Sequence, residues 1–189
     1  MSEAMPESAP DAGVDIGMLQ ERGFLNVRLD PRDEHAVKAA EQVLAQSLPL
    51  AANTYSSGKH RVYWLGPDEW LVETAAGNAA ALGGDLTEAL AGSSAAVNNV
   101  SGGHVAQRLS GPESRTVLAK GCTLDLHPKE FRPGHCARTG LARTTILLAA
   151  DSEPDSYTII AARSYADYLR RWLTHATRKP TGIRQAHWV

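Results

Sequence analysis

Two cysteines and two histidines lie close together in the chain and carry the donor types that zinc prefers. Cys122, His127, His135 and Cys136 would supply sulfur and imidazole ligands for a tetrahedral site. Their spacing argues against one. No Cys-x-x-Cys pair is present, and the adjacent side chains of His135 and Cys136 point to opposite faces if this segment is a strand. A buried free cysteine behaves as a small apolar residue, so we favour a structural role and keep a zinc-binding adaptor as an alternative.

A cysteine nucleophile is the second chemistry that these residue types allow. It needs a histidine within hydrogen-bond reach and a third group that orients the histidine. Cys122 with His104 or His127 leaves this open, although no flanking signature supports either pair. Carboxylates at 68–69 and 151–155 stand in turn sequences, where acids are expected as solvated turn formers. No dinucleotide, phosphate-loop or nucleophile-elbow motif is present. We therefore assign no catalytic, cofactor-binding or metal residue.

The C-terminal part of the chain combines a predicted helix with a basic surface. One helix face, with Tyr165, Tyr168, Leu169 and Trp172, is predicted to be buried, and the other face and the residues beyond it are basic. Arginine, tryptophan and tyrosine are enriched where proteins bury anchors in interfaces. A solvated surface explains the same pattern equally well. If the surface is a subunit contact, its candidate residues are Arg170, Arg171, Trp172, Arg178, Lys179 and Trp188.

Composition places the 189-residue chain among ordinary globular proteins, with 43% apolar and 21% charged residues. No stretch approaches the roughly 20 apolar residues needed to cross a bilayer, and the start lacks a signal-peptide pattern. A net charge of −2 argues against a general nucleic-acid surface, and two cysteines make no disulfide framework. We expect a cytoplasmic protein that binds neither membrane nor nucleic acid. Residues 1–20 hold four acids and no Lys or Arg, which indicates a disordered acidic tail.

Helix and strand patterns alternate from about residue 23 onward. Pro31 and Pro112, each next to acidic residues, are typical of helix starts, with Asp30 as the expected N-cap of the first helix. The predicted order is β-α-β-β-α-β, followed by β-α-β-β-β-α. This order predicts an α+β fold of two ferredoxin-like (split βαβ) halves. We place the first half at 21–101, the second at 102–178 and a C-terminal extension at 179–189.

Several stretches of the chain resemble one protein family. The run RLSGPESRTVLAKGC at 108–122, continued by LDLHP at 124–128, resembles the gamma subunit of heterotetrameric sarcosine oxidase. WLGPDEWLV at 64–72 and RSYADYLRRWL at 163–173 are similar to further stretches of that family. The Gly-Pro motifs also occur across the folate-binding, aminomethyltransferase-like superfamily. One departure is that Asn98 and Asn99 stand where the family often has an acid before the serine corresponding to Ser101.

The resemblance implies a fold related to the folate-binding module of aminomethyltransferase and membership of a complex with alpha, beta and delta subunits. That complex oxidises sarcosine to glycine and forms hydrogen peroxide, with the methyl carbon passing to tetrahydrofolate or leaving as formaldehyde. In this family FAD, FMN, NAD, tetrahydrofolate and zinc belong to the other subunits, so the resemblance implies no cofactor in this one. It implies a structural, assembly role. The alternative is a free-standing folate-binding module or folate-dependent one-carbon transferase.

Overall fold

The computed structural model of the protein describes residues 13–178. Within that range the chain forms ten strands and four α-helices. The strands are β1 (Asp15–Leu19), β2 (Arg22–Arg28), β3 (Tyr55–Ser57), β4 (Arg61–Gly66), β5 (Glu69–Ala75), β6 (Ala96–Asn99), β7 (His104–Ser110), β8 (Cys136–Leu141), β9 (Thr144–Ala150) and β10 (Ser156–Ala162). The helices are α1 (Glu34–Leu44), α2 (Ala79–Ala89), α3 (Ser114–Ala119) and α4 (Ala166–Ala176).

The first sheet has the strand order β3-β4-β5-β2-β6, and its pairings are antiparallel. Strands β2, β4, β5 and β6 with helices α1 and α2 form the split βαβ arrangement, and β3 adds an edge strand. The predicted ferredoxin-like first half is confirmed. The predicted N-cap of α1 is wrong. Asp33, not Asp30, accepts hydrogen bonds from the backbone N–H groups of His35 and Ala36, and Asp30 instead bonds Arg32.

The second sheet has the order β1-β7-β10-β9-β8 and is also antiparallel. Its first strand comes from the N-terminal segment that the sequence assigned to a disordered tail. That prediction is wrong for residues 15–19, because β1 pairs along its length with β7. The second half therefore draws one strand from outside 102–178. Residues 1–12 of the predicted tail and the predicted extension at 179–189 lie outside the described residues.

A close backbone approach fixes the start of β1. Gly111, at the end of β7, has φ +113°, and a Cβ at this position would collide with the carbonyl oxygen of Gly13. Only glycine adopts this positive φ without strain and also leaves room for the carbonyl oxygen of Gly13. The glycine of the 110–113 turn therefore has a packing reason that turn chemistry alone did not indicate.

The two sheets carry matching strand registers. In the first sheet Phe24, Glu73 and Arg61 lie side by side on β2, β5 and β4. The same positions in the second sheet hold Ala106, Ile160 and Leu147 on β7, β10 and β9. The short 3₁₀ turns before α2 and α4, Ala76–Asn78 and Arg163–Tyr165, also follow β5 and β10 at the same point. The halves are thus structural repeats in which β1 takes the place of β6.

Residues 13–178 form four layers, in the order helix, sheet, sheet and helix. Two apolar clusters fill the spaces between each sheet and its helices. A third cluster lies between the sheets and includes Phe24, Tyr63, Leu147 and Ile160. Backbone bonds from Tyr55 to Gly134 and from Cys136 to Asn53, both 2.9 Å, link β3 to β8 along one side. The inter-sheet layer is therefore closed at that side by main-chain contacts.

Candidate functional site at the inter-sheet layer

One end of the inter-sheet layer is filled by a buried ion pair. Arg61 of β4 reaches across and donates from Nη1 to Asp151 Oδ1 at 2.8 Å and to Thr158 Oγ1 at 2.9 Å. Ser156 and Thr158 donate their hydroxyls to the same carboxylate at 2.9 Å. Asp151 is 3% exposed. The sequence prediction of a solvated turn acid is wrong here, because the carboxylate is enclosed by donors from both sheets.

A second carboxylate is buried beside this pair. Glu73 accepts from the hydroxyl of Tyr63 at 2.6 Å and pairs with Arg22 Nε at 3.3 Å. Burial and the nearby charge of Glu73 raise the pKa of Tyr63 well above its usual value, so the phenol stays protonated and remains a donor. The alternation of polar and apolar residues along β4 gives a hint of this network, since Arg61 and Tyr63 share one strand face. Their partners on other strands leave no sequence signal.

The other end of the layer is an open cavity of about 600 Å³. Its floor is apolar, and its rim carries Glu69, whose Oε1 accepts from Asn26 Nδ2 at 2.8 Å. Both sheets and the start of β7 contribute to its wall. The lining residues are Asn26, Leu65, Glu69, Leu71, Asn98, Val100, His104, Arg138, Thr145, Ile146, Leu147, Ile160, Ala161 and Ala162. This size and mixture are typical of small-molecule sites.

A second groove, of about 660 Å³, lies at the turn between β2 and α1. Its charges are already paired within the chain, by Arg28 with Asp68 at 3.0 Å and by Arg32 with Asp30 at 2.8 Å. The groove is therefore a weaker candidate than the cavity between the sheets.

The residues considered as zinc ligands are not brought together. Cys136 is buried and its thiol bonds the carbonyl oxygen of Thr54 at 3.2 Å, while Cys122 contacts Thr139. His127 is exposed, and no group of three or more potential metal ligands occurs among residues 13–178. Burial raises the pKa of the Cys136 thiol to about 12, which disfavours the thiolate that a metal or a nucleophile requires. The structural reading of Cys136 fits this environment.

The C-terminal helix shows which predicted contact residues are accessible. Arg170, Arg171 and Arg178 are exposed, and no ion pair forms on them within the described part of the chain. Trp172 is half-buried and packs on Gly121. The structure therefore separates an exposed arginine surface from a tryptophan that is used in packing. The remaining candidates, Lys179 and Trp188, lie outside the described residues.

The aromatic stripe predicted for this helix is partly wrong. Tyr165 is 43% exposed and precedes the helix in a 3₁₀ turn, so its predicted burial is wrong, whereas the predicted burial of Leu169 is confirmed and Leu173 and Ala176 are buried beside it. Tyr168 does pack against the core and places its hydroxyl near the backbone N–H of Arg143 at 3.2 Å.

The asparagine turn before β7 has a local structural task. Asn99 Oδ1 accepts from the backbone N–H and the hydroxyl of Ser101, at 3.1 and 2.6 Å. Ser101 Oγ in turn accepts from the backbone N–H of Phe24 at 2.9 Å. An amide performs this acceptor role without a charge. Asn98, in contrast, is exposed and lines the open cavity.

Comparisons of the sequence with known proteins agree on one family. The family model described as Sarcosine oxidase, gamma subunit family, matches residues 28–179. The chain belongs to this family. The sarcosine oxidase subunit gamma of Corynebacterium sp. (strain U-96) is 34% identical over 180 residues, which cover 92% of this chain and 85% of that protein. The resemblance identified from the sequence is confirmed.

One solved structure supports the same relationship, and a second shows the fold. A chain of heterotetrameric sarcosine oxidase from Corynebacterium sp. U-96 superposes with a TM-score of 0.82 and 29% identity, covering 90% of this chain and 88% of that one. Aminomethyltransferase T of the glycine cleavage system from Bartonella henselae matches with a TM-score of 0.63 and 18% identity, over 87% of this chain and 46% of that one. The second match shows the fold alone. The predicted α+β class related to the aminomethyltransferase module is thus confirmed.

No helix within residues 13–178 combines the length and apolar character required to span a membrane.

Proposed function

We propose that this chain is the gamma subunit of a four-subunit sarcosine oxidase and that its own role is assembly rather than catalysis. The main support for this proposal is the superposition of 90% of this chain on a chain of the heterotetramer. The proposed activity of the whole complex is oxidation of sarcosine to glycine with formation of hydrogen peroxide, the methyl carbon going to tetrahydrofolate or formaldehyde.

The arrangement of polar groups supports an assembly role. The buried carboxylates Asp151 and Glu73 are bonded to Arg61, Arg22 and hydroxyl donors of the same chain, and neither lines the cavity of about 600 Å³. The pair of Arg61 and Asp151 joins the two sheets, whereas the bonds of Glu73 lie within the first sheet. We infer that alpha, beta and delta subunits complete the complex and that FAD, FMN, NAD, tetrahydrofolate and zinc belong to them.

Co-purification tests this function directly. The chain, tagged and expressed in its native cell, is expected to bring down three further chains with flavin absorbance and sarcosine-dependent peroxide formation. A solitary, colourless chain would contradict the proposal. The control is the same tag on an unrelated protein from the same cells.

The aminomethyltransferase-like fold keeps a folate-binding module as a second candidate. The full chain, if it binds tetrahydrofolate by itself, should unfold at a higher temperature in its presence, because a ligand stabilises the state that binds it. If the unfolding temperature does not change at saturating tetrahydrofolate, the folate-binding candidate is excluded. The proposed assembly role is not affected by that result.

A further inference from the structure

The two ends of the inter-sheet layer are equivalent in register but differ in content. Leu147 of β9 stands at the register position of Arg61, and Ile160 of β10 stands at that of Glu73. At the filled end the arginine crosses to the carboxylate of Asp151. At the open end the shorter apolar side chains leave the cavity of about 600 Å³. The cavity thus lies at the position that corresponds, in the first half, to the side chain of Arg61.

Glu69 lies at the open end and forms no ion pair with a basic side chain among residues 13–178. Glu69 of β5 occupies the register position of Ser156, the residue whose hydroxyl touches the Asp151 carboxylate at the filled end. One oxygen of Glu69 accepts from the amide of Asn26. No basic side chain among residues 13–178 lies within 4 Å of Glu69 in an ion pair. A partly enclosed carboxylate of this kind favours a positively charged guest.

We propose that this cavity binds an organic cation, a guanidinium or ammonium group on an aliphatic stem, with the cation bonded to Glu69. The stem lies on Leu65, Leu71 and Leu147, as the stem of an arginine does between the sheets at the filled end. Exposed Arg138 lines the opposite wall and offers a donor to an anionic or carbonyl group at the far end of the same guest. The cation comes from a free small molecule or from a basic side chain of a partner subunit.

Saturation-transfer NMR on the full chain tests the site with n-butylguanidinium as the probe and neutral n-butylurea as its matched control. Transfer to n-butylguanidinium is expected to exceed transfer to the urea. Glu69→Gln should raise the dissociation constant about tenfold, since it removes a charge-assisted bond and keeps the acceptor for Asn26. Asp68→Asn, next to it in the chain but outside the cavity lining, should leave binding unchanged.

A second variant tests the register argument by filling the cavity from within. Leu147→Arg places a guanidinium at the position equivalent to Arg61 and should abolish probe binding. Equal transfer to n-butylguanidinium and n-butylurea would overturn the proposal. An unchanged dissociation constant for n-butylguanidinium in a folded Glu69→Gln chain would also overturn it. This second outcome tests the proposal even if Leu147→Arg does not fold.

The source of the cation is determined by repeating the saturation-transfer NMR measurement with n-butylguanidinium on the complex that co-purifies with the chain. Retained binding assigns the cavity to a free ligand. Lost binding, together with weaker subunit association in Glu69→Gln, assigns it to a partner side chain. Lost binding with unchanged association would overturn a role for the site in the assembled protein. Only this experiment on the complex rests on the proposed function. Failure to isolate a complex is therefore distinguishable from failure of n-butylguanidinium to bind the isolated chain.

Discussion

Arg61 of the first sheet and Asp151 of the second form an ion pair with an N–O distance of 2.8 Å, in which the carboxylate is 3% exposed. The two residues are 90 positions apart in the chain and belong to different repeats. Their contact joins the two halves at the end of the layer opposite the cavity of about 600 Å³. Because a buried charge without its partner is costly, this pair should control how firmly the sheets remain together.

Replacing one partner of this pair should destabilise the chain strongly. Arg61→Leu leaves the Asp151 carboxylate buried without a cation, and we expect a loss of about 3–5 kcal/mol in the free energy of unfolding. The double variant Arg61→Leu/Asp151→Asn should lose less, because the remaining amide is neutral and still accepts from Ser156 and Thr158. Urea denaturation measures both. Arg28→Leu, which breaks an exposed pair, is the control and should cost less than about 1 kcal/mol.

Alkaline pH should weaken the fold through Tyr63. Burial and the Glu73 charge raise its pKa in the folded state, so the folded chain holds a proton that the unfolded chain releases above about pH 10. The contribution of Tyr63 to the free energy of unfolding is therefore fully present below about pH 10 and is lost as the pH rises further. Tyr63→Phe should flatten this fall while costing about 1–3 kcal/mol at pH 7, since Glu73 loses a donor. An equally steep alkaline fall in Tyr63→Phe would contradict the assignment.

Acid pH should weaken the fold through His60. This residue is 4% exposed and its Nδ1 lies 3.0 Å from Thr74 Oγ1. Burial, and to a lesser extent the charge of Lys59, lower its pKa, so the unfolded chain takes up a proton that the folded chain resists. The stabilising effect is present above about pH 6.5 and is lost as pH falls through the lowered value. Urea titrations at several pH values should show a smaller acid loss in His60→Gln than in the exposed control His35→Gln.

Two glycine substitutions should have opposite effects. A Cβ on Gly121 would collide with the indole of Trp172, so Gly121→Ala should displace α4 from the second sheet and lower stability by about 1–3 kcal/mol. Gly84 lies within α2 and nothing is near its would-be Cβ. Gly84→Ala should therefore raise stability by roughly 0.5–1 kcal/mol through better helix propensity. Thermal melts compare them, and two effects of the same sign would contradict the packing argument.

The exposed arginines of α4 should matter for assembly more than for folding. Arg170→Glu/Arg171→Glu reverses two charges on a surface without ion pairs among residues 13–178, so the melting temperature should change little. If this surface is a subunit contact, recovery of the partner chains should fall at least about tenfold, since like charges across an interface cost several kcal/mol. The control is Asp85→Lys/Glu88→Lys on α2. Equal recovery of partners with both double variants would assign the arginines to solvent.

The elements that local chemistry controls were predicted correctly from the sequence. Turn residues, helix starts and the alternation of strands predicted the ferredoxin-like first half, and the run at 108–122 identified the family. The Asp30 N-cap prediction failed within three residues, because Asp33 reaches two free N–H groups of the helix better than Asp30 does. Boundaries of this kind depend on backbone geometry that composition does not fix.

Contacts between distant segments depend on the folded arrangement and had no local signal in the sequence. The pairing of β1 with β7 depends on the free edge of the second sheet and on the close approach at Gly111. For this reason a stretch that is predicted to be disordered from its composition forms a strand. Asp151 looks like an ordinary turn acid until Arg61, 90 residues earlier, meets it across the layer. The open cavity arises in the same way, from the sizes of Leu147 and Ile160 relative to their counterparts. Pairing across sheets depends on which faces meet, and a one-dimensional pattern contains no such information.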